Sequence, residues 1–302
     1  MNKNYKLYRD SELSEDQVEA DVSSYLGYVT PLWARRFRLL SVDEQVTGAD
    51  RLLNRFVPIY LQFKVSEGLK PLSFNFSLSS PNRPLQKIRD FRRSNGINAD
   101  PTLYFRLRNI AKTATDFQHN ILMSFHQPPR QFAMYVAPLT LSIDEYNDNL
   151  RASLIDRLFT IDPFFYREER VFTRTIRNYL GIVPFLRGHV SIPPHERVIT
   201  SEHYYSYSKS GANIAWHSGE KLKGDFRLST QFRQILNYAY SNEGVGYSKE
   251  EFVKFIEAFM NERNGKFDGQ QNSSDRTIFK FGIYLKQVYN IKLMILETKN
   301  SR

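Results

Sequence analysis

The chain has 302 residues, no cysteine, and 42 basic against 32 acidic residues, a formal charge of +10. Without cysteine it forms no disulfide, offers no thiolate nucleophile and holds no Cys-ligated zinc, and its length allows one large domain or two moderate ones. An apolar share of 41% supplies a sizeable core, and the basic surplus makes a polyanion such as nucleic acid a natural partner, although a merely soluble basic protein has the same balance.

The opening MNKNYKLYRD lacks the apolar run of a secretion signal. No stretch reaches the roughly 18 consecutive apolar residues of a membrane span. The expectation is a soluble, cytoplasmic protein that makes no membrane contact.

The first element is a helix over 14–26, SEDQVEADVSSYL. Ser14 and Gln17 have the spacing of a capping box, Val18, Val22, Tyr25 and Leu26 give one apolar face, and Gly27 is a stop. LWARRFRLL, 32–40, reads as a strand or extended segment, and ADRLL, 49–53, as a short strand. VPIYLQFKV, 57–65, is the clearest strand: Val57, Ile59, Leu61, Phe63 and Val65 alternate on one face, and Tyr60, Gln62 and Lys64 share the other.

Residues 66–100 are rich in Pro, Ser, Asn and Gly and read as an insertion carrying a short basic helix around 84–93. TLYFRLR, 102–108, is a strand, and Ile110, Ala114, Phe117, Ile121 and Phe125 predict a helix over 109–125. FAMYVAPL is a strand, EYNDNLRASLIDRLF a helix, and 196–218 a hairpin about Ser-Gly-Ala-Asn. The last eighty residues read as mainly helical, with a capping box at Ser248 and Glu251.

Because strand side chains alternate, Gln62 and Lys64 project together. Asp50, twelve residues before Gln62, can return to the same patch through a turn. Metal-assisted phosphodiester cleavage needs such a set. A carboxylate and a side-chain oxygen hold Mg²⁺, and a lysine orients the attacking water or steadies charge on the phosphate. An ordinary strand with one wet face reads the same way.

The acidic helix, the segment ending EQVTGAD, the strand closing LQFK, a helix and the strand MYVAP together resemble the PD-(D/E)XK, or restriction-endonuclease-like, nuclease superfamily over roughly residues 12–138. The resemblance implies an α/β core, a mixed central sheet flanked by helices, with a mainly helical C-terminal part. It implies Asp50 as the metal-binding aspartate, Gln62 at the acidic position of the motif and Lys64 as the motif lysine, with Asp50 and Gln62 as metal ligands for Mg²⁺ or Mn²⁺. Gln-x-Lys branches occur in that superfamily, among them relatives of Mrr-type restriction enzymes. The neutral amide removes one negative charge from the site and weakens its hold on a cation. Of the helix carboxylates Glu15 and Glu19, four residues apart, Glu19 adjoins the apolar stripe and is preferred, with Glu44 as a substitute.

Arg35 and Arg36, beside aromatics, and Lys87, Arg89, Arg92 and Arg93 in the insertion are candidates to line a phosphate-binding groove, or are solvated basic faces. The six histidines form no HExxH or other metal motif, His119 reads best as a structural histidine, and the Ser- and Tyr-rich hairpin as a packed one. No nucleotide-phosphate loop or hydrolase elbow occurs.

The regions expected are 1–140, a nuclease-like core with the basic insertion; 141–222, a mixed α/β extension; and 223–302, a mainly helical end. The function expected is a Mg²⁺-dependent endonuclease acting on double-stranded DNA in restriction or anti-phage defence, as a homodimer or with a partner defence subunit. The alternatives are a non-catalytic nucleic-acid-binding module on the same fold and a structural or interaction protein.

Overall fold

The computed structural model describes residues 8–29, 37–42, 55–70, 83–97, 101–112, 114–160, 182–216, 219–241, 245–263 and 273–298. The first part holds β1 (Tyr8–Arg9), α1 (Glu15–Val29), β2 (Phe37–Ser41), β3 (Arg55–Phe63), β4 (Glu67–Leu69), α2 (Arg83–Ser94), β5 (Thr102–Arg106), α3 (Gln118–Ser124) and β6 (Phe132–Pro138). Next come α4 (Ile143–Thr160), α5 (Pro184–Arg187), β7 (His189–Ile192), β8 (Tyr204–Ser208), β9 (Ala215–Trp216) and β10 (Glu220–Lys221). The chain closes with α6 (Leu228–Ser241), α7 (Lys249–Glu262), α8 (Ser274–Tyr284), a π-helical turn (Leu285–Tyr289) and β11 (Lys292–Thr298).

The class is mixed α/β. A five-stranded mixed sheet runs β2-β11-β3-β6-β7, and a six-stranded sheet runs β1-β4-β5-β8-β9-β10. Within the first sheet β3 and β6 are parallel, with Gln62 opposite Tyr135, while the other neighbours are antiparallel. All pairs of the second sheet are antiparallel.

The local signals explain the helix ends. Ser14 Oγ accepts from the Gln17 backbone N–H at 3.1 Å, which caps α1, but the Gln17 side chain donates to Asp21, so only half of the expected capping box forms. At α7 both halves form between Ser248 and Glu251. The helix expected over 109–125 shrinks to α3. Leu107 still donates its N–H to His203 O, and Asp116 Oδ1 accepts from Phe117 N–H and Asn120 Nδ2, so side-chain bonding at Asp116 defines a late start. Ile110 is accordingly exposed.

Both faces of β3 are buried. Val57, Ile59, Leu61 and Phe63 pack with Val18, Val22 and Leu26 of α1 and with residues of α5 and α6. Phe56 and Tyr60 pack on the opposite side, in a cluster that includes Phe105, Tyr205, Tyr207 and Trp216 of the second sheet. The face expected to be wet is therefore covered by another layer.

The C-terminal strand is the element the sequence reading lacks. Lys292 to Thr298 lie between β2 and β3, antiparallel to both. Asn290, at φ 51°, ends the π-helical turn, and Leu293, Met294, Ile295 and Leu296 are all buried. The first and last thirds of the chain thus share one sheet. At about 1.5–3 kcal/mol for burying each large apolar side chain, β11 is a major contributor to that sheet's stability. The expected strand at 49–53 lies outside the described residues.

Candidate active site at the end of strand β3

β3 ends at Phe63, and Lys64 follows, its backbone N–H donating to Val136 O of β6 at 2.8 Å. Lys64 is 2% exposed, and its Nζ lies 3.5 Å from Oε1 of Glu15, the first residue of α1. The other oxygen of Glu15 accepts from Arg108 Nη2, in the segment after β5. Burial lowers the Lys64 ammonium from its ordinary range to about 8; Glu15 opposes the shift and the charge of Arg108 adds to it. An amine near 8 is divided between its two forms close to neutral pH. The neutral form takes a proton from water, and the charged form steadies an anionic oxygen.

Gln62 lies on the same side of β3 as Tyr60 and is completely buried. Among the described residues neither its Oε1 nor its Nε2 has a hydrogen-bond partner. A buried amide without a partner costs about 1–3 kcal/mol, so a glutamine here needs a reason other than packing. The Tyr60 hydroxyl is likewise without a partner, and burial pushes it well above the ordinary tyrosine range.

The helix carboxylate against Lys64 is Glu15. Glu19 is turned to the C-terminal segments, with Oε2 2.6 Å from Lys286 Nζ and Oε1 3.8 Å from Lys292 Nζ. The structure thus pairs Lys64 with Glu15, two residues along the chain from the buried Gln62, and engages Glu19 elsewhere. Asp50, Glu44, Arg35 and Arg36 lie outside the described residues.

The basic candidates of α2 divide. Lys87 and Arg93 are exposed. Arg89 is partly buried and donates to Lys70 O at 2.9 Å. Arg92 is a correction: at 1% exposure it donates to Ser206 Oγ, Asn213 O and Ile97 O, tying α2 to the β8–β9 hairpin, and it offers no charge to a nucleic acid. Burial lowers its guanidinium to about 10. The i, i+3, i+4 spacing of Arg89, Arg92 and Arg93 gives no hint of which one turns inward.

His119 is buried, and burial lowers it to about 4, so it is neutral at pH 7. Its Nε2 donates to Glu196 O at 2.7 Å and its Nδ1 accepts from the Tyr135 hydroxyl at 2.8 Å. The hairpin expected near Ser-Gly-Ala-Asn is present as β8 and β9, with Tyr204, Tyr205 and Tyr207 buried. Arg108 had no signal in the sequence, because only the fold carries it to Glu15.

Among the described residues no three His, Asp or Glu side chains cluster closely enough to hold a metal ion, and no helix is long and apolar enough to cross a membrane. The fold and site define a mixed α/β protein with a buried glutamine and a buried lysine, the latter paired with a part-exposed glutamate, at the end of a central strand. No protein family, curated protein or solved structure matches this chain.

Proposed function

We propose that this chain is a metal-dependent nuclease with a restriction-endonuclease-like core, hydrolysing phosphodiester bonds of double-stranded DNA in the cytoplasm, in restriction or anti-phage defence. The observation that carries the reading is the buried Gln62 and Lys64 at the carboxyl end of β3, with the part-exposed Glu15 against the lysine. The order of α1, the strand bearing Gln-x-Lys, α3 and the parallel β6 supports it. The insertion of β11 between β2 and β3 is a departure from the core order of that superfamily.

A divalent cation would suit the unpartnered oxygen of Gln62, and the carboxylate that the resemblance implies for it is Asp50, which lies outside the described residues. When bound, such an ion supplies Lewis-acid polarisation of a phosphoryl oxygen and lowers the pKa of water. Lys64 in its neutral form accepts the proton of the attacking water, Glu15 holds the amine in position, and Arg108 offers an exposed guanidinium to the phosphate.

A second reading has one observation in its favour. Gln62 and Lys64 are closed from solvent, at 0% and 2% exposure, as in a module that binds nucleic acid without cutting it. The test is cleavage of plasmid DNA, linear DNA and RNA with Mg²⁺ or Mn²⁺ by the wild type, Asp50→Ala, Glu15→Gln and Lys64→Ala. Metal-dependent cleavage by the wild type, lost in Asp50→Ala and Lys64→Ala with binding retained in the latter, supports the nuclease. No cleavage but salt-dependent binding supports the module. Neither leaves a structural or interaction protein.

A further inference from the structure

The parallel strands β3 and β6 end on the same edge of their sheet, the edge where α/β sheets bind ligands. Lys64 lies at the end of β3. Beyond β6 opens a separate pocket of about 190 Å³, lined by Thr140, Glu145, Asn149, Arg187, Lys209 and Arg227 among others. That is below the roughly 300 Å³ at which sites for drug-sized ligands begin, so a small group fits and a large one does not.

Its charge is built in. Arg227 donates to two backbone carbonyls, Arg187 O at 3.1 Å and Ser210 O, which fix the guanidinium without neutralising it. Gly211, at φ 73°, turns the β8–β9 hairpin that carries Lys209 to the pocket; a Cβ there would lie 3.1 Å from Leu139 and 3.5 Å from Arg227. Lys209 Nζ is 2.8 Å from Glu145 Oε2, which also accepts from Thr140 Oγ1. The Arg187 side chain is exposed and has no hydrogen bond or ion pair among the described residues. Three cations and one carboxylate leave two positive charges around an open polar pocket.

We propose that this pocket binds a phosphate group, held by Arg187, Lys209 and Arg227. Two excess charges match a phosphate monoester dianion, and the fork of a fixed guanidinium matches its oxygens. The assignment stands whether or not the chain cleaves nucleic acid. The bearer of the phosphate is either a strand end or a free nucleotide.

The test is calorimetric titration of the full chain with inorganic phosphate, a nucleoside 5′-monophosphate, and one oligonucleotide in 5′-phosphorylated and 5′-hydroxyl forms. The wild type is expected to bind inorganic phosphate and to prefer the phosphorylated oligonucleotide over its hydroxyl form. Arg187→Gln should weaken phosphate binding about tenfold or more and remove that preference, since it deletes a charge-assisted contact. Its exposed side chain makes it the variant that keeps the fold, which a thermal melt checks; Arg227→Gln is a second variant. Lys254→Gln, an exposed lysine of α7, should leave binding unchanged. A monophosphate that binds as tightly as the phosphorylated oligonucleotide makes the free nucleotide the bearer, and a tighter oligonucleotide makes it the strand end. Absence of saturable phosphate binding, or equal binding by wild type and Arg187→Gln, overturns the proposal.

Discussion

Replacing Gln62 by methionine separates stability from function. The Gln62 amide is 0% exposed, and among the described residues neither polar atom has a partner. Removing such an amide recovers about 1–3 kcal/mol of desolvation. Methionine has a similar unbranched shape, so the packing loss is below about 1.5 kcal/mol. The net expectation runs from no change to a gain of about 2 kcal/mol, which at this chain length raises the melting temperature by up to about 4 °C. Calorimetric melts of both proteins at one pH and salt measure it, beside the cleavage assay, which the variant should fail. Gln62→Glu is the converse: a buried carboxylate destabilises the protein without a cation, and Mg²⁺ or Mn²⁺ should raise its melting temperature more than that of the wild type. If Gln62→Met melts lower than wild type by more than about 1 kcal/mol, the amide is engaged in the folded protein and the argument fails. If it cleaves DNA as well as wild type, Gln62 holds no cation.

Lys64 sets a pH signature. Its folded value of about 8 lies below the ordinary 10.5, so the unfolded chain binds the extra proton between those values and stability rises with pH from 8 to 10.5. Lys64→Met should therefore be more stable than wild type at pH 7, by about 3 kcal/mol, with the advantage shrinking through that window in denaturant titrations. Cleavage that rises with pH through about 8 assigns Lys64 the role of base, and cleavage that falls there assigns it charge stabilisation. Arg92→Ala should cost about 3 kcal/mol or more, because it strands Ser206 Oγ and the Ile97 carbonyl in the interior and frees the Asn213 carbonyl at the hairpin turn. Arg93→Ala should shift stability by no more than about 0.5 kcal/mol while weakening nucleic-acid binding, and urea unfolding with a salt-dependent binding assay distinguishes the two. Gly246→Ala should cost about 2 kcal/mol or more, read by the same unfolding curves. Its φ is 100°, and a Cβ would stand 2.2 Å from Phe56 O, where Tyr247 bridges to β3.

Periodicity and caps were readable without coordinates. The strict alternation from Val57 to Phe63 defines β3 and assigns Gln62 and Lys64 a shared side. Ser14, with four apolar residues at helical spacing, defines α1. Gly211 and Asn213, both at positive φ, make the hairpin turn that the sequence announces. These are local preferences, set by a few neighbouring residues. What the polar side of β3 faces is not local. The second sheet, more than a hundred residues away in β8 and β9, covers it and turns an apparently wet face into interior. The same holds for Arg92, which finds its acceptors at Ser206 and Asn213, and for Glu15 and Glu19. Those two carboxylates sit on one face of one helix, yet Lys64 and Arg108 meet the first while Lys286 and Lys292 meet the second. The run Lys292 to Leu296 carries a strand's apolar signal, but only the tertiary structure places it between β2 and β3. A strand's position in a sheet depends on hydrogen bonds to partners that its own sequence does not specify.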